Sequence, residues 1–124
     1  MDINNFKNHF MKGPVYDKSF DFAAEIMILQ KKLTSSGEFI VSKQLLRSGT
    51  AVGANVNEAS SAESLKDFIS KNSIALKEAK ESFYWLSLLK RSRPIEYDYD
   101  TLIDLNVEIM KLLSKIILTS KKKL

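Results

Sequence analysis

The sequence predicts an all-α protein, an antiparallel up-down four-helix bundle. Three observations carry that expectation. Apolar residues recur at steps of three and four along four separate segments, which is the period of a helix face. The breaks between segments are short and hold helix-stop residues. No stretch shows the strict alternation of a half-buried strand. Each segment spans about 20–30 residues, or roughly 30–45 Å at ~1.5 Å per residue. Long amphipathic helices on short links pack as antiparallel neighbours.

Residues 1–13 read as a flexible leader, residues 14–121 as the bundle and residues 122–124 as a basic tail. Pro14 suits a first helical turn, where its missing N–H leaves nothing unsatisfied. From there Val15, Phe22, Ile26, Leu29 and Leu33 mark the first apolar stripe. Thr34-Ser35-Ser36-Gly37 ends it, with Gly37 free to take a left-handed cap. The second helix starts near Glu38, with the stripe Val41, Leu45, Gly49, Val52, Val56 and Ala59. Ser60 and Glu63 have the spacing of a capping box and predict the start of the third helix. Its stripe is Leu65, Ile69, Asn72, Leu76, Ala79, Phe83 and Leu86. Arg93-Pro94 stops it, because the residue before a proline avoids helical angles. Asp98 is placed to cap a fourth helix carrying Leu102, Leu105, Ile109, Leu112 and Ile116. That helix runs into Lys121-Lys122-Lys123, whose charge suits a helix C-terminus.

The bulk composition narrows the class of function. A chain of 124 residues with 44% hydrophobic residues can bury one core. There is no cysteine, which removes disulfides, thiolate zinc sites and cysteine nucleophiles. The purely apolar runs are short, far from the ~20 residues of a membrane span. MDINNFKNHFMKG lacks the apolar stretch of a signal peptide. We therefore expect a cytoplasmic protein with no membrane partner. The net charge of +4 permits contact with nucleic acid without requiring it.

"RSGTAVGANVNEA", residues 47–59, places two glycines inside the second helix. Each costs about 1 kcal/mol against alanine there. Gly49 falls on the apolar face and Gly53 on its edge, so close approach of a neighbouring backbone is one compensation. A hinge, or a groove where a ligand meets backbone, is the other reading. The Gly-x-x-x-Gly spacing also occurs in membrane dimers, but these surroundings are too polar for a bilayer.

The same stretch carries a family likeness. "QLLRSGTAVGANVNEA" (44–59) followed by "AESLKDFISKNSIALKEAKESFYWLSLL" (62–89) resembles the 23S rRNA-intervening-sequence proteins. Those proteins are named for genes found within insertions in bacterial ribosomal RNA genes. The likeness runs from about Val15 to Lys121 and rests on Gln-Leu-Leu-Arg-Ser-Gly-Thr, Gly-Ala-Asn and Tyr84-Trp85-Leu86. Many relatives have proline in place of Gly53 and a glycine soon after the position of Glu58. This chain has neither and resembles a glycine-type branch. The resemblance implies an up-down bundle assembled as a five-fold ring. A related accessory protein of diversity-generating retroelements binds nucleic acid and partners a reverse transcriptase. The resemblance supplies no catalytic residues.

Little in the sequence supports a reaction. A di-iron bundle site typically uses two Glu-x-x-His pairs, and the only histidine is His9, in the leader. A Ser-His-Asp system would need that histidine to reach the bundle. Gly49-Thr50-Ala51-Val52-Gly53 lacks the lysine and spacing of a phosphate loop. Glu78 and Glu81 form an i,i+3 pair that reads as solvated helix charge near lysines, rather than as a carboxylate pair for acid–base work or for holding Mg²⁺. We expect no enzyme, no cofactor and no bound metal.

The third helix offers two surfaces. With its core direction centred near Leu76 and Phe83, Ile74, Trp85 and Leu88 point outward, a second burial surface suited to a homo-oligomer interface. Lys66, Lys77, Lys80 and Arg91 project within roughly ±40° of one another. Tyr84 and Ser73 lie on that line. It reads either as a solvated flank or as a strip that tracks phosphates, multiplied around an oligomer. Arg47 and Glu58 could pair between subunits or be plain surface charges. The expectation is a non-enzymatic oligomeric bundle, a pentamer by resemblance, that binds RNA or DNA or serves a nucleic-acid enzyme. The alternative is a structural module for protein–protein contact.

Overall fold

A computed structural model of the chain describes residues 3, 4, 7 and 13–124. It contains four long helices: α1 (Pro14–Ser35), α2 (Ile40–Ala59), α3 (Leu65–Ser92) and α4 (Tyr99–Lys121). Successive helices pack side by side, and α4 returns against α1, closing an up-down bundle. No strand occurs among the described residues. The α1–α4 seam is the least extensive of the four. Ile3 packs against the core, and Lys7 Nζ donates to Ala62 O at 3.0 Å. His9 and the rest of the expected leader lie outside the described residues.

The helix ends follow from local chemistry. Gly37 takes φ +95°, the left-handed angle that ends α1. Its N–H bonds to Thr34 O and that of Glu38 to Leu33 O, at 3.1 and 2.9 Å, satisfying two carbonyls the helix would orphan. Glu38 then opens α2 with its side chain. Its two carboxylate oxygens accept from the N–H groups of Val41 and Ser42 at 3.0 and 2.8 Å. One residue thus completes one helix stop and caps the next helix, whose own N-cap, Phe39, offers no acceptor.

The start of α3 differs from expectation. Ser60 does not cap it; its hydroxyl donates to Asn57 O at 2.5 Å and closes α2. Ser64 is the cap, accepting from Asp67 N at 3.0 Å. Asp67 in turn accepts from Glu63 N, one residue before the cap, at 3.4 Å, so the start signal sits four residues later in the chain. Arg93, barred from helical angles by Pro94, ends α3 at φ 46°. Asp98 caps α4 as expected, accepting from Thr101 N at 3.2 Å and Thr101 Oγ1 at 2.5 Å.

The apolar stripe of α1 is buried at every expected position: Val15, Phe22, Ile26, Leu29 and Leu33. In α2, Leu45, Gly49, Val52, Val56 and Ala59 are buried, while Val41 is half-exposed beside buried Ser42. The stripes of α3 and α4 are partly rotated from those expected. In α3 the buried residues are Phe68, Ile69, Asn72, Ala75, Ala79, Ser82, Leu86 and Leu89; Ile69, Asn72, Ala79 and Leu86 fall where the sequence stripe puts them, whereas Leu65 and Leu76 are only half-buried and Phe83 is exposed. In α4 it is Leu102, Asn106, Ile109, Leu113 and Ile117, with Leu105, Leu112 and Ile116 on the flank. Ser82 and Asn106 occupy core positions in place of Phe83 and Leu105, so following apolar residues alone moves the stripe by one there. Ser48 is buried as well. Ser82 Oγ donates to Ser48 Oγ at 2.9 Å across the α2–α3 interface.

Candidate functional site

The outward line of α3 is the most distinctive charged surface. Lys66, Ser73, Lys77, Lys80, Tyr84 and Arg91 all lie opposite Ala75, Ser82 and Leu86, on the side of α3 turned from the core. Among the described residues, none of these four cations forms an ion pair. No acidic residue of α3 shares the line at ~100° per residue.

The acids of α3 are engaged elsewhere, on its flank toward α2. Arg47 bonds Glu78 at 3.2 Å through one guanidinium nitrogen and Glu81 through the other. Glu81 also accepts from Trp85 Nε1 at 3.0 Å. Glu58 pairs with Lys71 at 3.3 Å. Arg47 and Glu58 therefore find their partners within the chain, and Glu78 and Glu81 face an arginine rather than lysines. The sequence alone does not show this cluster, because pairing depends on the register between helices, which no local pattern encodes. Among the described residues, no group of three or more His, Cys, Asp or Glu side chains is placed to hold a metal ion, and no helix is long and apolar enough to cross a membrane.

Ile74, Trp85 and Leu88 do not form one equivalent row. Ile74 and Leu88 are exposed at 40% and 37%. Trp85 is half-buried and packs against the core. The rotation of α3 turns Trp85 partly inward, to the seam where Arg47 and Glu81 meet.

Gly49 and Gly53 face α1. A Cβ at Gly49 would lie 2.8 Å from Ile26 Cγ1, and one at Gly53 would lie 3.0 Å from Ser19 O. The first distance is shorter than real side chains show and the second is tighter than most, so α1 approaches where a side chain is missing. Outside that contact runs a groove of about 430 Å³, lined among others by Phe20, Ala23, Met27, Gly53 and Ala54. Its signal in the sequence is Phe20 and Met27, apolar residues off the α1 stripe; both are exposed. A second depression, of about 480 Å³, lies at the α1–α4 seam between Glu25, Tyr97, Asp98 and Leu105. There burial and the neighbouring Glu25 raise the Tyr97 hydroxyl above its ordinary pKa. The bond from the Thr101 side chain lowers Asp98 below the usual carboxylate value.

Comparison with known proteins agrees with this architecture. No curated protein matches the chain. A crystal structure of a protein of unknown function from the S23 ribosomal protein family of Bacteroides thetaiotaomicron VPI-5482 is similar. The two share 50% identity over 83% of this chain and 97% of that one, with a TM-score of 0.80. Residues 11–115 match the family described as 23S rRNA-intervening sequence protein. With the four-helix fold and a match over most of its length, the chain belongs to the 23S rRNA-intervening sequence protein family.

Proposed function

We propose that the protein is a non-enzymatic, self-associating bundle of the cytoplasm that binds RNA or DNA through the outward line of α3, as an accessory to nucleic-acid processes. The observation that carries this reading is the acid-free row Lys66, Lys77, Lys80 and Arg91, whose charges have no ion-pair partner among the described residues. Unpaired cations on one rigid line neutralise phosphates and release counterions on binding. The antiparallel topology puts the α4 C-terminus at the α3 N-terminal end, so Lys121, Lys122 and Lys123 add positive charge at the Lys66 end of the row. Self-association repeats the row, and a pentamer, as the family resemblance implies, would present five copies.

The test is binding of labelled RNA and DNA over a salt series. Affinity falls steeply as salt rises. Lys77→Gln with Lys80→Gln weakens binding and lowers the slope of log affinity against log salt by about 2, roughly 1 for each phosphate no longer neutralised. Oligomer size is unchanged. Absence of binding at low salt would sink the reading.

Exposed Ile74 and Leu88 favour the second reading, a protein–protein interaction module without nucleic acid. Ile74→Glu with Leu88→Glu then shifts light scattering toward the monomer. An unchanged assembly would remove this surface from the interface.

A further inference from the structure

We infer that Tyr84 is a base-stacking residue that directs the α3 cationic row toward single-stranded nucleic acid. The inference rests on the nucleic-acid reading above and adds the class of strand.

Tyr84 sits inside the row, one turn beyond Lys80 and two turns before Arg91. It is 59% exposed. Its ring meets Trp85, centroids 5.0 Å apart at 76°. That edge-on contact orients the ring and leaves most of its surface open. Trp85 is itself fixed, since Nε1 donates to Glu81 and Glu81 is held by Arg47. Tyr84 is thus an aromatic ring braced from the α2–α3 seam and flanked along the helix by cations that have no ion-pair partner among the described residues.

A duplex stacks its base faces inside and offers such a ring only edges and backbone. A single strand exposes base faces, and stacking of a base on an aromatic side chain changes affinity by about five- to a hundredfold. Lys77, Lys80 and Arg91 hold the backbone on either side of the ring, the combination used by strand-tracking surfaces. A lysine row alone would bind both forms.

The test uses the full chain at low salt with a fluorescent 20-nucleotide single-stranded RNA and the blunt duplex of the same sequence. The native protein binds the single strand more tightly. Tyr84→Ala loses about tenfold on the single strand and less than twofold on the duplex, while Tyr84→Phe keeps the preference. Trp85, the only tryptophan, is quenched by the single strand in the native protein and not in Tyr84→Ala. Light scattering and thermal melting of both variants stay at native values. Equal losses on both probes, or no loss, overturn the role of Tyr84; sensitivity to Lys77→Gln with Lys80→Gln would still uphold the cationic row. No binding to either probe overturns both.

Discussion

Helix α1 makes two long contacts, and they are built on opposite principles. Toward α2 it meets absent side chains: Ile26 lies over Gly49, and the Ser19 carbonyl lies over Gly53. Toward α4 it meets long side chains reaching across a looser seam. Lys18 pairs with Glu108 at 3.0 Å, and Lys32 lies over the Tyr97 ring at 5.6 Å. A depression remains between Glu25 and Asp98. The first contact is short-range and intolerant of added volume. The second relies on part-exposed charges, each worth little in water.

The largest effect should come from filling the closer contact. Gly53→Val sets a branched side chain against a backbone carbonyl, which cannot rotate away. We expect a loss of about 3 kcal/mol in denaturant unfolding, at the upper end for overpacking. A native-like value would show that α1 slides freely over α2 and would erase the contrast. On the α4 side, Asn106 is fully buried and neither polar atom of its amide meets a partner among the described residues. Asn106→Leu keeps the number and branching of the side-chain atoms but is bulkier; it should raise stability by about 1 kcal/mol, the cost of an unmet buried amide less some overpacking. A fall would mean that the amide is satisfied in solution.

Gly49→Ala is milder than Gly53→Val because alanine adds one atom where valine adds three. That atom meets the stiff base of buried Ile26, but alanine regains about 1 kcal/mol of helix propensity. A net loss of about 1 kcal/mol is expected, measured the same way. The smallest effect concerns Asp98, at the rim of the α1–α4 depression. Its folded pKa lies below its unfolded one, chiefly through the Thr101 hydroxyl. Its stabilising effect is therefore present above the ordinary carboxylate pKa and is lost as pH falls through the folded value. Asp98→Asn keeps a capping side chain but removes the titration. Melting curves below about pH 4 should then depend less on pH than in the native protein.

What can be read from the sequence divides along the same line. The α1 stripe and the stops at Gly37 and Pro94 are legible because each depends on residues close in the chain. So is the outward α3 row, since charges recurring at helical spacing share a face whatever they pack against. The inner faces of α3 and α4 are displaced by one position at Ser82 and Asn106, which lie in the core while Phe83 and Leu105 lie beside it. Only the neighbouring helix decides which of two adjacent residues is covered. The same dependence hides the Arg47–Glu78–Glu81–Trp85 cluster and the cap at Ser64, where Ser60 offers an equally good local pattern.

The sparse α1–α4 seam has a consequence in time rather than in space. The other three seams each join helices adjacent in the chain, so all three survive if this one parts. Opening it would turn the closed bundle into a curved row of four helices while exposing little backbone, because each helix keeps its own hydrogen bonds. Such an excursion needs less free energy than global unfolding. Native-state hydrogen exchange would leave the helices protected, while probes on buried side chains of α1 and α4 react early. A bundle that opens along one edge can also close on the matching edge of another copy, so slow exchange of α1 between molecules at high concentration would be its visible trace.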